Sequence, residues 1–180
     1  MADKRKSALG GGAPKKFSCA GFTVTELRPS AIAQLSGAPA ENLRVAFSLA
    51  AAPRAGGSAA IDGARFLWNG PGMFLAVAGG AAPGAWCEQL SAALPEAAVT
   101  DLSHARCVLR LAGAAAADVL ATGCPVDCGG LENDSSFASR FGHFNVLVDF
   151  RRREEMDLYA PRSFGEALWG HLRHLGVEFG

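Results

Sequence analysis

The spacing of apolar residues changes several times along the chain, and each change marks an element. Near Phe22–Leu27 apolar and polar residues alternate as in a half-buried strand. A second strand is expected over residues 43–49, flanked by the loop-like stretches GAPAENL and AAPRAGGSAAIDG. The run ARFLWNGPGMFLAVAGG holds two apolar and aromatic segments separated by Asn69, Gly70, Pro71 and Gly72. Those four residues supply positive or fixed φ at a reversal, so a β-hairpin is predicted. Trp86, Leu90, Ala93 and Leu94 then recur at helical spacing over residues 85–94, Pro95 stops the helix, and strand pairing resumes at Ala98.

The second half repeats this style. A strand is expected over residues 108–111, then an alanine-rich helix over residues 114–121 closed by Gly123, then irregular chain through Asp134. Strands over residues 143–150 and 156–160 are joined by RRREE. The last helix carries the clearest signal: Ser163 and Glu166 form an S-x-x-E capping box, and Phe164, Leu168, Leu172 and Leu175 share one face before Gly176. The order of hairpins, strand pairs and helices predicts an α+β fold, an antiparallel sheet with helices packed on one side.

Composition refines the picture. Residues 1–16, MADKRKSALGGGAPKK, are basic and glycine-rich and read as a disordered arm, leaving a single α+β domain over residues 17–180. Seventeen Lys and Arg balance seventeen Asp and Glu, so no global field favours nucleic acid or an acidic membrane surface. The five cysteines are odd in number and embedded in apolar runs, which suits a reducing cytoplasm better than a disulfide framework. No apolar h-region follows the basic start and no uninterrupted apolar run spans a bilayer, so a soluble cytoplasmic protein is expected.

Candidate chemistry is sparse. Asp101, Ser103 and His104 suggest a nucleophilic site, but adjacent residues of an extended segment point to opposite faces. A structural turn is the better expectation. Cys124 and Cys128 flank Asp127 without a second ligand pair, and His171 and His174 fall on the flank of an amphipathic helix, so no metal site is assigned. No glycine run has phosphate-loop spacing. Arg151–Arg153 are followed by Glu154 and Glu155, as in a solvated hairpin tip, with an interface role left open. No catalytic, cofactor-binding or metal residue is therefore expected.

Two blocks, AVTDLSHARCVLRLAGAAAADVLATGCPVD from Ala98 and DLYAPRSFGEALWGHL from Asp157, resemble the gamma subunit of heterotetrameric sarcosine oxidase. The matching positions are Thr100 to Arg106, Gly113, Asp118 to Leu120, Gly123 to Asp127, and Arg162, Ser163, Phe164, Leu168 and Trp169. The resemblance implies a fold similar to the folate-binding domain of aminomethyltransferases. It also implies a non-catalytic chain beside alpha, beta and delta subunits, which would hold FAD, FMN, NAD, zinc and tetrahydrofolate. Such a complex demethylates sarcosine oxidatively to glycine and passes the one-carbon unit to tetrahydrofolate. The matching subunit of an N-methylglutamate-type or other secondary-amine dehydrogenase is the alternative, and a freestanding folate-binding enzyme is the second. On this reading Arg106, Arg162 and Trp169 are the candidate subunit-interface residues.

Overall fold

Most strands of this chain are joined by tight reversals, so sequence neighbours pair antiparallel. The computed structural model describes residues 7–178. Among them the strands are β1 (Lys16–Cys19), β2 (Phe22–Leu27), β3 (Ala31–Ser36), β4 (Ser58–Ile61), β5 (Ala64–Gly70), β6 (Met73–Ala78), β7 (Ala98–Asp101), β8 (Arg106–Ala112), β9 (Ser135–Phe141), β10 (Phe144–Arg152) and β11 (Glu155–Pro161). The helices are α1 (Ala40–Ala46), α2 (Pro83–Ala93), α3 (Ala116–Gly123) and α4 (Gly165–Glu178). The strands form a six-stranded sheet, β1-β2-β8-β11-β10-β9, and a five-stranded sheet, β4-β5-β6-β3-β7. The fold is the expected α+β type with antiparallel sheets.

The single domain expected over residues 17–180 divides into two compact units. The first contains the described residues up to Arg28, His104–Asn133, and Ser139 onward. Its central strand, β8, pairs with β2 on one side and β11 on the other. Cys107, Leu109 and Leu111 of β8 are buried with their cross-strand partners Ala160, Leu158 and Met156. Against this unit α4 buries Leu168, Leu172 and Leu175.

Two details of α4 differ from the sequence expectation. Gly176 lies inside the helix, where an added Cβ would sit 3.0 Å from Cys19 Sγ, so the missing side chain permits close packing on β1 and does not mark a stop. Phe164 is 49 % exposed, because it belongs to a single 3-10 turn, Arg162–Phe164, placed before the helix proper.

Of the arm expected over residues 1–16, residues 1–6 lie outside the described residues. The rest is tied to the first unit. Leu9 is 1 % exposed, the Ser7 hydroxyl donates to the buried Glu26 carboxylate, and Lys15 N–H donates to the same group at 3.2 Å. Arg28 donates to the carbonyls of Gly12 and Ala13 at 2.9 and 3.0 Å. One buried leucine, the carboxylate of Glu26 on β2 and the guanidinium of Arg28 just after it hold a segment whose composition alone argues for disorder.

The second unit comprises Pro29–Ser103 and Asp134–Ala138. The predicted hairpin is β5–β6, closing with Gly70 opposite Met73. Its core joins Leu35, Phe66, Phe74 and Leu90 to Trp86, whose indole N–H donates to the Ala76 carbonyl at 3.2 Å. The strand expected over residues 43–49 is instead α1 and the turn after it. Leu43, Val45, Phe47 and Leu49 fit a period of two. The chain resolves the ambiguity by leaving Val45 exposed and bonding Phe47 N–H to the Leu43 carbonyl. Among the described residues no helix is long and apolar enough to cross a membrane.

Gly113 closes the β8–α3 connection at φ +131°, and an added Cβ would lie 2.4 Å from the Gly21 carbonyl oxygen. Gly113→Ala is expected to destabilise the protein by more than about 2 kcal/mol, read as a lower urea midpoint at unchanged slope. Gly80→Ala, which meets open space, is the control and should stay within about 0.5 kcal/mol of wild type.

Candidate functional site

The segment from Asp101 to Arg106 links β7 to β8. Asp101 Oδ1 accepts the Ser103 N–H at 2.8 Å, forming an Asx turn. Ser103 is buried; its hydroxyl accepts the Ile32 N–H at 3.0 Å and donates to the Ile32 carbonyl at 3.3 Å. Leu102 N–H also donates to that carbonyl. The serine thus satisfies the β3 backbone at the point where β7 ends. Asp101 and Ser103 belong to the second unit, and the exposed His104 begins the first. With its hydroxyl committed at both ends to Ile32, Ser103 is not poised as a nucleophile.

At the start of α4, the Ala105 carbonyl accepts the Arg162 N–H at 2.8 Å, and Arg106 stands opposite Pro161 in the β8–β11 register. A shallow depression of about 580 Å3 lies here, lined by Ala8, Ala105, Pro161, Arg162, Ser163 and Glu166. The expected capping box does not form. Pro161 occupies the N-cap of the 3-10 turn without a side-chain cap bond, and Ser163 lies within that turn. Arg162 Nη2 donates to the Ser7 carbonyl at 3.1 Å. Trp169, expected to reach a partner, packs edge-to-face on Phe17 of its own β1 with ring centroids 5.0 Å apart. Arg106 differs from both. It is half-buried, burial holds its guanidinium below the ordinary value, and among the described residues it has no hydrogen-bond or ion-pair partner.

Sequence reasoning missed the principal charged cluster. Asp149 of β10 and Asp157 of β11 stand opposite each other, both 0 % exposed. Arg110 of β8 grips Asp157 with two parallel bonds, Nε to Oδ1 at 2.7 Å and Nη2 to Oδ2 at 2.8 Å. Arg151 adds Nη2 to Asp157 Oδ2 at 2.9 Å, and its Nε lies 3.4 Å from Asp149 Oδ2. Glu155 joins Arg110 at 3.2 Å and Arg152 at 3.0 Å. The bond to Asp157 holds Arg110 above its ordinary value. Three guanidinium groups therefore meet three carboxylates, a neutral clasp across β8, β11 and β10 and not a free base. The arginine run is only partly a solvated tip: Arg152 and Arg153 are exposed, but Arg151 turns inward. The available signal was one charge inside each of the apolar runs VLRLA, VLVDF and MDLYA.

The cysteines are committed to packing. All five are free thiols; Cys124 Sγ lies 3.3 Å from Ser139 Oγ, and Cys128 donates to the Val126 carbonyl at 3.4 Å. Asp127 accepts the Gly129 N–H at 2.9 Å. Burial pushes the Cys107 thiol up to about 11. Among the described residues no three His, Cys, Asp or Glu side chains converge as metal ligands.

No protein-family model and no curated protein matches this sequence. Among solved structures, the chain is similar to a chain of the heterotetrameric sarcosine oxidase from Corynebacterium sp. U-96, determined in complex with pyrrole 2-carboxylate. The two share 27 % identity at a TM-score of 0.77, over 88 % of this chain and 85 % of that one. It is also similar in fold to the glycine cleavage system aminomethyltransferase T from Bartonella henselae, at 18 % identity and a TM-score of 0.65 over 86 % of this chain. This chain spans 46 % of that aminomethyltransferase.

The geometry ranks three substitutions by their effect on urea unfolding. Asp157→Ala should cost about 3–5 kcal/mol, since it strands the clasp's arginines without their buried carboxylate. Ser103→Ala should cost about 1–3 kcal/mol by leaving the Ile32 N–H unsatisfied, the Ile32 carbonyl keeping its bond from Leu102 N–H. Ser163→Ala, which removes no cap, should change stability by less than about 0.5 kcal/mol.

Proposed function

We propose that this chain is a non-catalytic, gamma-type subunit of a sarcosine oxidase-type flavoenzyme complex. The observation that carries the reading is the similarity to a chain of nearly equal length from a heterotetrameric sarcosine oxidase, extending over most of both chains. The internal chemistry supports it. Ser103 is spent on β3, the thiols on packing, and the buried carboxylates on arginines, so the polar groups of this chain maintain its own architecture.

On this proposal the alpha, beta and delta subunits carry FAD, FMN, NAD, zinc and tetrahydrofolate. There the N-methyl group of sarcosine is oxidised to give glycine and a one-carbon unit. This chain contributes a preorganised surface on which those subunits assemble, and substrate choice belongs to them.

The test is coexpression with the alpha-, beta- and delta-type chains of the same source. A stoichiometric four-chain complex that oxidises sarcosine is expected, with yield and turnover collapsing when this chain is omitted. A three-chain complex that assembles and turns over fully without it, while this chain elutes alone, refutes the assignment.

A further inference from the structure

Where α4 meets the β9–β10 hairpin, four rings of the first unit form one continuous cluster that ends at the surface. Phe141 of β9 is 0 % exposed, and His171 of α4 packs on it edge-to-face at 5.5 Å between ring centroids. His171 also meets Phe144, the first residue of β10, at 5.9 Å, and Phe144 meets Phe164 edge-to-face at 6.2 Å. Exposure rises along the series: Phe144 and His171 are half-buried, and Phe164 is 49 % exposed. A ring held half out of a surface by other rings is the form of anchor that fills a partner's pocket. Neither nitrogen of His171 has a hydrogen-bond partner among the described residues, so this half-buried imidazole is also unfinished within the chain.

The residues around the cluster lean to one sign of charge. Residues 135–148, which carry Phe141 and Phe144, include Arg140 and His143 and no acid. Residues 167–177, which carry His171, include Arg173 and His174 and again no acid. All four of these basic residues are exposed. The side chains of Arg140, His143 and Arg173 make no hydrogen bond or ion pair among the described residues, and His174 lies 3.7 Å from Glu178. Arg140 and Arg173 stand one and two residues from ring members. They do not line the cluster, but they add to the field over it within a Debye length of about 10 Å. At the Phe164 end, Arg162 and Glu166 stand two residues to either side and offset each other. Ala167, exposed and four residues before His171, leaves a small uncharged position beside the rings on the same face of α4.

We infer that the surface formed by Phe144, Phe164 and His171 is a docking site for an acidic segment of a partner protein chain, which seats an apolar pocket over Phe164 and offers a carboxylate to the His171 imidazole. The inference rests on the assembly proposed above. Charge complementarity selects the occupant: a carboxylate accepts the free imidazole N–H and is drawn by Arg140 and Arg173, whereas a basic segment meets like charge. The balance of seventeen basic against seventeen acidic residues over the whole chain favours a protein surface over a polyanion.

The test titrates the full chain against the purified alpha-, beta- and delta-type chains. Phe164→Ser and Ala167→Glu should each weaken association by about tenfold or more. Ala167→Lys, which adds a side chain of comparable reach and opposite charge, should lose less than Ala167→Glu, and the wild-type affinity should fall with added salt. Val45→Ser, which removes an exposed apolar side chain from the second unit, should bind as wild type does. Ala167 is exposed in the first turn of α4, where a glutamate suits the helix dipole. Both Ala167 variants should therefore melt near the wild-type temperature, and they decide the question even if Phe164→Ser folds poorly. Wild-type affinity in either Phe164→Ser or Ala167→Glu overturns the inference and leaves the assembly reading standing. Equal losses in the two Ala167 variants, or an affinity that rises with salt, overturn it as well. Self-association abolished by the same variants assigns the surface to a second copy and overturns it, as does capture of RNA or anionic vesicles in place of the subunits. A wild-type chain that binds none of the subunits refutes the assembly reading, and this surface with it.

Discussion

The bidentate grip of Arg110 on Asp157 is the interaction on which the first unit is built. It crosses from β8 to β11 at the centre of the six-stranded sheet, and Asp149 stands directly across from Asp157 on β10. Two unexposed carboxylates facing each other would repel strongly if left bare. Arg110 and Arg151 turn that repulsion into a cross-strand lock, and Glu155 and Arg152 complete its neutrality. A one-residue slip of β11 would carry Asp157 to the opposite face and Leu158 into the cluster. The buried charges therefore fix register in strands whose apolar runs would tolerate more than one pairing.

The other buried polar groups are likewise closed on partners within the chain. Here Ser103 is closed on both sides by Ile32, and Asp157 receives three guanidinium bonds.

Legibility of the fold in the sequence followed the strength of local signals. The β5–β6 hairpin was readable because Asn69–Gly72 fix the reversal, and α2, β8, β10 and β11 because their apolar periods are unmistakable. β3, the strand shared by β6 and β7, escaped because AIAQLS is short and lies in a stretch rich in alanine and loop residues. α1 was misread because Leu43, Val45, Phe47 and Leu49 satisfy a strand period as well as a helical one. The S-x-x-E pattern at Ser163 and Glu166 misled for a different reason. Pro161 and the 3-10 turn displace the helix start to Gly165, which moves both residues out of the capping register. The contact of Trp169 with Phe17 had no local signal either, because it depends on where β1 lies beside α4. The ionic clasp was legible in principle as single charges inside apolar strands, but its partners are brought together only by the sheet order.

The division of the chain into units also orders events during synthesis. The second unit draws nearly all its residues from the unbroken stretch Pro29–Ser103, so most of it can compact while the ribosome is still making the remainder. The first unit is interrupted: β2 must wait for β8, and β8 for β11, before the clasp can close. Until Asp157 emerges, the nascent chain carries β2 and β8 with Arg110 uncompensated and the apolar face of the sheet lacking α4. The earliest residues made are thus among the last to find their final neighbours, and during that interval the apolar face of β2 and β8 stays uncovered.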